Sequence, residues 1–130
     1  MRDITTKYGE NAGKIWSILS EKGELKKEEI INVTKINEKD FHKGIGWLAR
    51  ENKIAQDNEY FRLENTNLEE EIGSHAGKVR KILDIWEDAD IETIKRLSDL
   101  EDDQVHTALG WLAKEEKIST NEKNRFILKE

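Results

Sequence analysis

The sequence predicts a mainly α-helical chain with small β hairpins, an α+β fold built from two tandem copies of one unit. Three observations lead there. Residues 46–54 read GWLARENKI and residues 110–118 read GWLAKEEKI, 64 positions apart. The same offset recurs outside that phrase, as an internal repeat requires. Each copy also carries the same succession of helical periodicity, Gly or Asn breaks and a short alternating segment.

The repeat is dense at its start. Gly9, Ala12, Gly13 and Lys14 meet Gly73, Ala76, Gly77 and Lys78; Ile18 and Leu19 meet Ile82 and Leu83; Ile30 meets Ile94, and His42 meets His106. No gap is needed from Gly9 to Ile54. The register slips by one only near the end, where Phe61 aligns with Phe126. Two units follow, roughly Ile4 to Asn65 and Leu68 to Glu130, which sets domain bounds of 1–65 and 66–130. The acidic segment NTNLEEE joins them.

Within a unit, Ala12, Ile15, Ile18 and Leu19 share one helical face, and Gly23 is placed to end that helix. Ala76, Val79, Ile82, Leu83 and Trp86 repeat the pattern, with Ser74 as the expected N-cap. A short extended piece at Glu24–Leu25 leads to a second helix over about Lys27–Lys35. Asn37 then reads as an N-cap with Asp40 three residues on. The third helix runs to about Glu51 with Phe41, Ile45, Leu48 and Ala49 as its buried stripe. KIAQDNEYFRLE follows as two alternating runs around Asp-Asn-Glu, a hairpin signal.

Composition bounds the function. Charged residues make up 38% and hydrophobic residues 35% of 130, with four Trp and no Cys or Pro. Such a chain can fold as one domain or two small ones, and it has no disulfide framework and no thiolate metal site. No apolar run is long enough to span a membrane, and MRDITTKYGE lacks the apolar core of a signal peptide, so a cytoplasmic protein is expected. The net charge of −6 is uneven. Residues 1–65 hold twelve Lys/Arg and twelve Asp/Glu, whereas residues 66–130 hold ten and sixteen. All the excess acidity lies in the second copy.

Helix, short strand, helix, tight turn, helix and hairpin is the winged helix-turn-helix order. The chain resembles, in particular, a family of small winged helix-turn-helix domains of largely unassigned function. Its signature, Gly-Trp-Leu-Ala-Arg/Lys-Glu followed by Lys-Ile, stands at Gly46–Ile54 and Gly110–Ile118, preceded by ENAGKIW and SHAGKVR. The resemblance covers nearly the whole chain twice. It implies two tandem winged helix-turn-helix domains, mainly α with small β wings, and a DNA-binding, regulator-like role.

In such folds the third helix usually enters the major groove. The first copy offers Lys39, His42, Lys43 and Arg50 there, with Lys53 and Arg62 on the wing, diluted by Glu38, Asp40 and Glu51. About four phosphate contacts would weaken binding on the order of 100-fold between 50 and 200 mM salt. The second copy places Asp102 and Asp103 at the entry turn and Thr107 where Lys43 stands, and such carboxylates repel phosphate. Double-stranded DNA, if bound, is therefore expected on repeat 1. The alternative is a protein-interaction module that holds a protein partner through acidic surface and exposed Trp.

Other chemistry is thin. His42 and His106 are equivalent, but neither has a second His or a Cys at ligand spacing, so structural histidines and no metal are expected. GKIW and GKVR lack the glycines of a phosphate loop. No carboxylate pair stands out as catalytic, and neither enzymatic activity nor a cofactor is expected.

Positions apolar in one copy and charged in the other point elsewhere. Trp16 faces Arg80 and Ile31 faces Lys95; conversely Ile85, Trp86 and Ile91 meet Glu21, Lys22 and Lys27. A fixed interface between the repeats is expected from Trp16 or Ile31 against Trp86 or Ile91, giving a monomeric pseudo-dimer or a weak homodimer; the alternatives are a longer first helix in the second copy, its core extended by Trp86, and an exterior binding patch. Gly46, costly within a helix, implies that something approaches closely there in each copy. Trp47, and Trp111 in the second copy, lie off the buried stripe; each either folds under its wing or the N-terminal segment, or anchors a partner. On this reading the repeated phrase mainly clamps the wing to the third helix.

Overall fold

The structure is a computed structural model and describes residues 3–129; the outermost positions of the expected domain bounds, Met1, Arg2 and Glu130, lie outside the described residues. Helix α1 (Ile4–Lys22) is followed by β1 (Leu25–Lys26), α2 (Lys27–Thr34), α3 (Glu38–Arg50) and the hairpin β2 (Ile54–Asp57) and β3 (Tyr60–Leu63). The second unit runs α4 (Glu69–Trp86), α5 (Ile91–Ser98), α6 (Asp102–Lys114), β4 (Ile118–Thr120) and β5 (Phe126–Leu128).

Local chemistry explains the boundaries. The Asp3 carboxylate accepts from Thr6 N at 3.0 Å and starts α1, and Gly23, at φ 79°, ends it. Asn37 accepts from Asp40 N at 2.8 Å, the expected cap of α3. Ser74 does not cap α4. The helix begins nearly two turns earlier, after Leu68, and Glu69, Glu70 and Glu71 fill its first turn, where carboxylates favour the helix dipole. Positive φ recurs at the 64-residue offset: Gly23 and Glu87, Lys35 and Asp99, Asn52 and Glu116. Lys35 and Asp99 end their helices in the same left-handed conformation, whereas Gly23 and Glu87 share a positive φ but differ in ψ, −149° against −48°, so the first helices end by different turns.

The sheets are small. In the first unit β1, β3 and β2 form one antiparallel sheet, with Leu25 opposite Phe61 and Ile54 opposite Leu63. In the second, β4 pairs with β5, and a lone bridge between Ala89 and Phe126 stands where β1 would be.

Two apolar cores form, one per unit, each losing a residue to the other. Tyr8 of α1 lies in the second core with Val79, Leu83 and Leu109. Ile72 of α4, its counterpart 64 positions on, lies in the first with Ile15, Phe41 and Leu48. Trp47 and Trp111 pack against both.

The units meet chiefly through α3 and α6, not through the first and second helices as the sequence suggested. Trp16 and Trp86 stay 43% and 54% exposed. Ile31 and Ile91 pack at the edges of their own cores. The pattern of unequal apolar residues therefore marks outer surface and core edge. The copies are joined instead at equivalent positions of the third helices, Gly46 and Gly110, Trp47 and Trp111.

Candidate functional site

The third helices cross at their glycines. A Cβ built on Gly46 would lie 1.9 Å from the Thr107 carbonyl oxygen, and one on Gly110 would lie 1.8 Å from that of Lys43. Each helix thus presses on the other's backbone, an approach only glycine permits. The relation is reciprocal, since 43 and 107, like 46 and 110, are equivalent positions. This is the self-complementary geometry of a two-fold dimer, written here within one chain.

The flanking side chains repeat that symmetry. Arg50 lies over the Trp111 ring at 5.5 Å, and Lys114 over the Trp47 ring at the same distance. Arg50 Nε donates to Glu115 Oε2 at 3.0 Å, while Lys114 Nζ is 3.8 Å from Glu51. Trp47 also covers Gly9 of α1, where an added Cβ would be 3.1 Å from the ring; Trp111 stands in the same way over Gly73. Burial against helix and partner unit accounts for both indoles.

The seam engages three of the six residues expected to face DNA, His42, Lys43 and Arg50. Lys43 is partly buried with its ammonium over Tyr8 at 5.0 Å, and burial pushes its pKa below the ordinary lysine value. His42 faces Asp103 of α6, and Arg50 is engaged with Glu115 and Trp111. On the wing, Arg62 is held between Glu64 and Asp57, which keep its guanidinium more firmly protonated, Glu64 most of all. Lys53 lies 3.6 Å from Glu51. Lys39 is exposed and, among the described residues, forms no ion pair within 4.0 Å. Along α3 only Glu38, Lys39 and Arg50 are exposed; its remaining residues, and every residue along α6, are buried or partly buried.

Beside the seam lies a cleft of about 380 Å³ bounded by α2, α3, the first wing, α4 and α6. His42, Ile45, Phe61, Ile72, His75 and Asp103 are among its walls. Burial lowers the pKa of His42 and outweighs the opposing pull of Asp103, so its imidazole is held toward the neutral form. His42 Nε2 is shielded from solvent without a hydrogen-bond partner. Sequence reasoning missed this cluster because its members come from both copies. Gly46 was the one signal of the seam, and it did not say what approached it.

The geometry defines a tandem winged helix-turn-helix protein whose third helices are paired within the chain. Residues 1–65 and 67–128 each match the winged helix-turn-helix domain family (DUF2582), and the chain belongs to that family as a tandem duplication. No curated protein and no solved structure matches it. Winged helix-turn-helix domains suggest a DNA-binding or regulator-like role and are typically non-enzymatic. Among the described residues no helix is long and apolar enough to cross a membrane.

Proposed function

We propose that this chain is a non-enzymatic, regulator-like protein of the cytoplasm that holds a protein partner through its outer helices. It acts as a monomer in which two units stand in for the halves of a dimer. The observation that carries this reading is the contact of Gly46 with Thr107 and of Gly110 with Lys43, which commits both third helices to each other. The surface left over favours a protein. Ile85 and Trp86 stand 65% and 54% exposed at the end of α4, flanked by Asp84 and Glu87. An aromatic anchor inside an acidic rim suits a basic segment with an apolar pocket.

DNA binding through repeat 1 is the second reading. It is favoured by the fold and by Lys39, and it needs the seam to open or the wing to act alone. A titration of duplex DNA against salt separates the two. The first reading expects no binding at about 50 mM salt and loss of partner capture on Trp86→Ala with folding intact. Binding that weakens steeply with salt and falls on Lys39→Glu or Arg62→Glu would support the second and overturn the first.

A further inference from the structure

Glu38 and His42 stand one turn apart on α3, and Asp103 reaches them from the first turn of α6. One donor atom of each lies within 4.8 Å of the others. His42 Nε2 is 3.4 Å from Asp103 Oδ1, yet that nitrogen is shielded and makes no hydrogen bond. A shielded imidazole nitrogen beside two carboxylates is left without a hydrogen-bond partner, and buried polar atoms of that kind normally find one. The adjoining cleft gives a solute a route to the wall on which His42 and Asp103 stand.

We propose that Glu38, His42 and Asp103 form a site for a divalent transition-metal ion of the zinc type, tying the first unit to the second. Metal–donor bonds of about 2.0–2.2 Å set tetrahedral donors about 3.3 Å apart. The His42–Asp103 pair already has nearly that separation, and Glu38, with 56% of its side chain exposed, is free to rotate inward. An imidazole among the donors selects zinc, cobalt or nickel over magnesium or calcium. Lys27 Nζ lies 3.2 Å from Glu38 Oε1, and the ion takes the place of that ammonium. Three protein donors leave one position for water.

The other side of the seam is a built-in control. The equivalents of Glu38, His42 and Asp103 are Asp102, His106 and Lys39, so an ammonium stands where the third carboxylate would be. One ion per chain follows. The proposal rests on the seam alone and is independent of the partner reading above.

Zn²⁺ titrated calorimetrically into the full chain, with Co²⁺ visible absorption as a second readout, tests it. The expected result is one ion per chain, with tetrahedral Co²⁺ bands and a raised thermal midpoint. Affinity should fall by more than about tenfold in His42→Ala and in Asp103→Asn, since even outer-shell changes cost that much. It should hold in His75→Ala and His106→Gln and tighten in Lys27→Met. Asp103 is half exposed, so Asp103→Asn keeps the test valid if His42→Ala unfolds. Absence of Zn²⁺ binding, or binding that follows His75 and ignores Asp103, overturns the proposal.

Discussion

Arg50 donates a 3.0 Å hydrogen bond to Glu115 and lies across the ring of Trp111, joining the end of one third helix to the end of the other. Lys114 makes the matching approach to Glu51 and Trp47. Arg50 remains 46% exposed while Glu115 is only 15% exposed, so the pair is screened on one side. A double-mutant cycle of Arg50→Ala and Glu115→Ala should give a coupling of about 0.5–1 kcal/mol. The coupling should shrink between 50 mM and 1 M salt. Zero coupling at low salt would mean that the pair does not join the units in solution.

Gly46→Ala should destabilise the chain by about 2 kcal/mol or more. Alanine favours helix by up to about 1 kcal/mol, but its Cβ would need space held by the Thr107 carbonyl. Gly110→Ala should behave alike. Gly13→Ala and Gly77→Ala, with nothing within 4 Å, should instead gain about 0.5–1 kcal/mol. Chemical denaturation of the four variants checks the contrast. A stabilised Gly46→Ala would show that the helices do not touch.

The four tryptophans should separate into two classes. Trp47→Ala and Trp111→Ala each empty a site packed against both cores and should cost about 3–5 kcal/mol. Trp16→Ala and Trp86→Ala remove rings about half exposed, outside both cores, so their costs should stay at about 1 kcal/mol. Equal costs across the four would contradict the placement of the seam.

His106 makes stability depend on pH. Its ring is almost fully buried, and burial, with help from Lys43, pushes its pKa down to about 4. Asp102 opposes the shift; Lys39 and His42 add to it. The unfolded chain takes up that proton near pH 6.5, whereas the folded chain resists it until about pH 4. Stability is therefore complete above pH 6.5 and declines as pH falls toward 4. Between pH 7.5 and 5 the loss due to His106 should be about 2 kcal/mol. His106→Leu should flatten that part of the profile, leaving the same-signed contribution of His42. Unchanged denaturation midpoints in the wild-type chain across this range would refute the assignment.

Elements internal to one copy were legible because local chemistry writes them. The stripe of Ala12, Ile15, Ile18 and Leu19, the Asn37 cap and the Asp-Asn-Glu hairpin all stand as periodicity and turn residues announced them. Ser74 misled because a good capping residue inside a helix is silent once acidic residues upstream extend it. The seam was half legible. Gly46 reported a close approach, but Thr107 belongs to the other copy, and periodicity carries no information across 61 residues. Lys43 and Arg50 looked free for phosphate because a single sequence cannot show that Tyr8, Trp111 and Glu115 engage them.

Tyr8 and Ile72 give the duplication a one-way character. Each repeat supplies a side chain that fills its sibling's interior, and in doing so it has surrendered part of its own self-sufficiency. A polypeptide nicked between Asn65 and Thr66 would still travel as one body. Either fragment made alone would lack the side chain its sibling lends and would leave an indole and a glycine ridge bare.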